Sequence, residues 1–98
     1  MRLPVDYKII KVKLGATFKL SLDSNPSTGY QWEIDFDSDF LKLEETYYTP
    51  VGSKLGGGGK EHFSFLPLKH GKTTITMLYK RNWEKIEIKK EKFLIEII

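Results

Sequence analysis

The sequence predicts an all-β fold, an antiparallel β-sandwich of about seven short strands. Two observations carry this. Alternation of apolar and polar residues with period 2 dominates the chain, and no window holds a sustained helical stripe. The alternating runs are short and punctuated by Gly, Pro, Asn and Asp, the spacing of a sandwich. A small closed barrel is the alternative arrangement of the same strands.

The elements follow in order. Tyr7–Leu14 sets Ile10, Val12 and Leu14 on one face with Lys11 and Lys13 opposite, until Gly15 interrupts. Thr17–Leu22 alternates Phe18, Leu20 and Leu22 with polar residues, and Tyr30–Phe36 does the same with Tyr30, Trp32, Ile34 and Phe36. Phe40–Glu44 is a short fourth run with Leu41 and Leu43 inward. His62–Leu68 offers Phe63 and Phe65, and Pro67 implies an edge or a bend. Lys72–Tyr79 carries Ile75, Met77 and Tyr79, and a long last run, Ile86–Ile98, carries Ile86 and Ile88, then Phe93, Ile95 and Ile97. Trp32, in the middle of the third run, resembles the core tryptophan of immunoglobulin-like domains, without their disulfide. Three connections are longer or stranger than a meander needs: 23–29, 46–60 and 80–85. They follow the second, fourth and sixth strands, so in a sandwich they emerge at one end.

Ninety-eight residues, 40% hydrophobic and 13% aromatic, suit one globular domain over residues 1–98. There is no cysteine, which excludes disulfides, thiolate chemistry and cysteine-ligated zinc. No stretch approaches the roughly 18 apolar residues of a membrane-spanning helix, so no membrane partner is expected. Residues 1–14 carry lysines among their apolar positions and lack the core of a signal peptide; the compartment stays open. Charge is uneven. Residues 31–48 hold six acids against Lys42, whereas residues 69–98 hold eight bases against four acids. Such a distribution describes either a solvated surface or a basic edge that steers an acidic partner.

Motifs for catalysis and cofactors fail on inspection. In "KLGGGGKE" Lys54 occupies the place of the first phosphate-loop glycine and Glu61 follows Lys60, so no nucleotide cofactor is expected. Four consecutive glycines instead give a backbone that can lie flat against another surface. His62 and His70 make no metal-spaced pair, and no serine sits in a nucleophile elbow. Catalytic residues, metal ligands and cofactors are therefore expected to be none. The aromatics fall at inward positions, and the C-terminal lysines alternate with Glu84, Glu87, Glu91 and Glu96, which argues against nucleic acid. Pro26 in the middle position forbids glycosylation at Asn25. "RNW" is more informative, because Arg81 and Trp83 stand between two strong strands and belong to the residue types enriched at binding hot spots. A tryptophan folded back on the core is the other reading.

Together these segments resemble the chagasin family, small immunoglobulin-like inhibitors of papain-type cysteine proteases. The family pattern is Asn-Pro-Thr-Thr-Gly-(Tyr/Phe)-x-Trp, then Gly-x-Gly-Gly, then Arg-Pro-Trp, on three successive loops. This chain has Asn25-Pro26-Ser27-Thr28-Gly29-Tyr30-Gln31-Trp32, then Gly56, Gly57, Gly58 and Gly59, then Arg81-Asn82-Trp83. Two residues depart from the pattern: Ser27 keeps the hydroxyl of threonine, and Asn82 gives up the fixed φ of proline, about 0.4–1 kcal/mol of pre-organisation.

The resemblance implies a monomeric inhibitor whose partner is a papain-like cysteine protease. Asn25–Gly29 would enter the cleft, with Gly56–Gly59 and Arg81–Trp83 on its rims. Tyr30 and Trp32 are expected to support the loop from the core. The alternative is an immunoglobulin-like adhesion or ligand-binding module without inhibitory activity. A hydrolase dependent on His62 or His70 is the remaining reading.

Overall fold

The alternating runs become seven strands in the computed structural model of the chain, which describes residues 7–52 and 58–98. They are β1 (Lys8–Val12), β2 (Phe18–Ser24), β3 (Tyr30–Phe36), β4 (Leu41–Pro50), β5 (Gly59–Pro67), β6 (Gly71–Arg81) and β7 (Lys89–Ile97). One turn of 3-10 helix, Pro26–Thr28, separates β2 from β3. The strands form two sheets, ordered β1-β7-β6-β3 and β2-β5-β4. Their inward residues meet in one core, with Leu41, Phe65, Ile75, Met77 and Ile95 fully buried. Phe65 sits at its middle, stacked on Phe18 and edge-on to Phe36.

The β2–β3 connection passes from one sheet to the other, which a two-residue hairpin turn cannot do. Only β4–β5 and β6–β7 are neighbours both in sequence and in a sheet. One pairing departs from the antiparallel expectation: β1 lies parallel to β7, Lys8 opposite Phe93 through Val12 opposite Ile97. Parallel neighbours cannot be joined by a tight turn; here the whole intervening chain joins them.

Three boundaries also differ from the expectation. β4 runs on to Pro50, and β5 begins at Gly59, so both ends of the expected 46–60 loop belong to paired strands. The ladder slips by one residue between Leu43 and Glu45, a bulge that breaks the alternation and hid the second half of β4. β7 begins only at Lys89, and Ile86 and Ile88 are exposed loop residues. Their even positions are out of phase with Phe93, Ile95 and Ile97, a shift that a single flat strand cannot absorb. Pro67 ends the central strand β5, opposite Leu41 of β4 but beyond the last β2 partner, Phe18 opposite Phe65, so the ladder is one-sided where the proline lies.

Candidate functional site

The segment between β2 and β3 is built from its own polar side chains. Asn25 precedes the 3-10 turn and accepts hydrogen bonds at Oδ1 from Ser27 N (3.3 Å) and Ser27 Oγ (2.6 Å). Its carbonyl accepts from Thr28 N (3.1 Å) and Thr28 Oγ1 (2.7 Å). Pro26 fixes φ at the first position of the turn. Gly29 ends it at φ +83°, a conformation that favours glycine, with its N–H on the Pro26 carbonyl. The hydroxyl of Ser27 is thus engaged within the loop itself.

Below, the loop is fastened to the core. Trp32 is buried and its Nε1–H donates to the Asp23 carbonyl at 3.0 Å. Tyr79 packs between Trp32 and Tyr30, with ring centroids at 4.7 and 5.4 Å, and its hydroxyl accepts from Asn25 N at 2.8 Å. Tyr79 is a support that sequence reading missed. Its inward place on β6 was legible, whereas the reach of its hydroxyl to the loop depends on the packing of two sheets.

Arg81 and Trp83 come to the same place from the β6–β7 connection. The Arg81 guanidinium lies over Tyr30, 4.4 Å from the ring centroid, and its Nε–H donates to the Thr28 carbonyl at 3.3 Å. Trp83 is 73% exposed, so it is not folded into the core. A Cβ added at Gly29 would stand 3.2 Å from Trp83 Cη2, so the edge of the indole leans closely on the loop. Asn82 accepts a hydrogen bond from the Gln31 side chain, a tether available to asparagine and not to proline. Gln31 occupies the variable position of the first motif, so the pattern gives no sign of this contact.

The glycine segment divides. Gly56 and Gly57 lie outside the described residues. Gly58 lies against the first loop: a Cβ there would meet the Ser24 carbonyl at 3.2 Å. Gly59 is buried within β5, opposite Ser24 on one side and Pro50 on the other. A Cβ there would fall on the Thr49 carbonyl and within 2.6 Å of the Tyr48 hydroxyl, so this glycine serves the sandwich. Beside it, Lys60 pairs with Asp23 at 2.9 Å. The hydrogen bond and charge of Lys60, with a smaller contribution from Lys89, hold the Asp23 carboxyl below its usual range.

The described parts of the three connections thus meet at one end of the sandwich. On the outer face of the three-stranded sheet, His62 takes Ser21 Oγ at Nδ1 (2.7 Å) and Thr49 Oγ1 at Nε2 (2.8 Å), under the Tyr47 ring. Both ring nitrogens are occupied by hydroxyls, which leaves no position for the carboxylate of a catalytic triad.

The profile of the chagasin family, described as peptidase inhibitor I42, matches residues 11–97. The chain belongs to this family. Among its relatives, amoebiasin-2 of Entamoeba histolytica is 33% identical over 84 residues, spanning 82% of this chain and 68% of that protein. Chagasin of Trypanosoma cruzi is 27% identical over 92 residues, 88% of this chain and 84% of that one. The crystal structure of the cysteine protease inhibitor EhICP2 from Entamoeba histolytica superposes with a TM-score of 0.86 at 28% identity. That superposition covers 95% of this chain and 88% of the other. Membership sets aside both the hydrolase and the adhesion-module readings: the family is one of inhibitors, not enzymes.

Proposed function

We propose that this chain is a reversible, non-covalent inhibitor of papain-like cysteine proteases that fills the active-site cleft with one end of its sandwich. The observation that carries this is the mutual support of two separate connections: Trp83, largely exposed, leans on Gly29, while Arg81 holds the Thr28 carbonyl. Asn25, Pro26, Ser27, Thr28 and Gly29 form the wedge, stiffened by proline and by internal hydrogen bonds, with only small side chains at the tip. Its bent 3-10 backbone differs from the extended form in which a protease holds a substrate. Gly58, with Gly56 and Gly57 before it, flanks one rim; Arg81, Asn82 and Trp83 flank the other. Tyr30 and Trp32 act from below. Three such segments suffice for an interface of about 800 Å² per partner.

The test is a titration of papain, and separately of trypsin, with a fluorogenic peptide as reporter. Stoichiometric loss of papain activity with trypsin unaffected is expected. Equal inhibition of both, or no effect on any papain-like enzyme, would contradict the proposal.

A further inference from the structure

Two large side chains next to this site have no role in the sandwich. Ile86 is 78% exposed and Ile88 58% exposed, on the segment between Arg81 and β7. Solvent penalises such placement, and clustered exposed apolar residues mark interaction surfaces. The segment that presents them is held at both ends. Glu84 N donates to the Arg81 carbonyl (3.1 Å), Lys80 Nζ to the Glu84 carbonyl (2.8 Å), and Ile88 N to the Tyr79 carbonyl (2.9 Å).

Ile86 and Ile88 line a shallow groove with Tyr30. Ile88 and Tyr30 also line a second groove that runs past Asn25 and Thr28 to Val51 and Gly58. The isoleucines are therefore continuous with the wedge, on the side that Val51, 65% exposed, extends further. The charges around them, Glu84, Lys85, Glu87 and Lys89, cancel in sign, so the patch selects by apolar contact.

We infer that Ile86 and Ile88 are specificity-determining residues, an apolar pad that seats an aliphatic or aromatic side chain on the rim of the protease cleft. The inference rests on the inhibitor reading above. It makes discrimination among papain-like proteases depend on the residue each enzyme carries at that rim. An apolar rim gains from the pad; a charged rim loses by being desolvated against it.

The experiment compares the whole chain with its Ile86→Ser/Ile88→Ser variant against papain and a panel of papain-like proteases differing in rim composition. Inhibition constants and thermal midpoints are read together. The variant is expected to keep its midpoint and lose about tenfold against apolar-rim enzymes, with little change against charged-rim ones. An Ile86→Leu/Ile88→Leu variant should retain the wild-type pattern. Unchanged inhibition throughout, or equal loss against every enzyme, would overturn the inference. If the unmutated chain inhibits none of the panel, the inhibitor reading itself fails, and the pad with it.

Discussion

Trp83 is the residue on which the two loop segments depend most visibly. It is 73% exposed and leans on Gly29, so its removal opens no cavity in the core. Trp83→Ala is expected to weaken protease binding by about 2 kcal/mol or more, with a thermal midpoint close to wild type. Unfolding of that variant would show the indole to be part of the fold. The Asp23–Lys60 pair makes a second residue-scale prediction. A carboxyl held low in the folded state stabilises above its unfolded pKa, about 3.9, and that contribution disappears as pH falls through the folded value. In Lys60→Ala, the Asp23 titration followed by NMR should move up toward the ordinary carboxylate value. The stability difference from wild type should be small, because both side chains are exposed, and should vanish at acid pH. An unmoved Asp23 titration would contradict the assignment.

At the level of elements, Asn25–Gly29 was legible because its signals are local: an amide that caps, a proline, a glycine that turns. The hairpin end was not. Gly59 reads in sequence as the last of four loop glycines, and its place in β5 depends on β4 extending past a bulge to Pro50. Ile86 and Ile88 read as strand because alternation records spacing and not whether a core receives the side chains. Gly59→Ala separates the two roles of that glycine. Crowding against Thr49 and Tyr48 is expected to cost about 1–3 kcal/mol of stability in chemical denaturation, while the affinity of the remaining folded protein changes little. Loss of affinity at unchanged stability would place Gly59 at the protease instead.

Across the whole molecule, period-2 patterning predicted two facing sheets, and the parity of the connections predicted the shared end at which the described loop segments meet. The parallel β1–β7 pair lay beyond that reading, since it joins residues more than eighty positions apart and no local pattern encodes it. The central claim belongs to this scale: the sandwich presents a bent wedge that occupies the cleft through shape and buried area, without a bond to the catalytic sulfur. The chain offers no cysteine for a disulfide and no side-chain electrophile, so the only bond open to the thiolate is the acyl bond of a cleaved substrate. The direct measurement is the affinity of this protein for papain and for papain with its catalytic cysteine changed to alanine, followed by the mass of the recovered inhibitor. Affinities within about an order of magnitude, or 1.4 kcal/mol, are expected, with the inhibitor intact. Cleavage between Asn25 and Tyr30, or loss of binding to the alanine enzyme, would contradict the account.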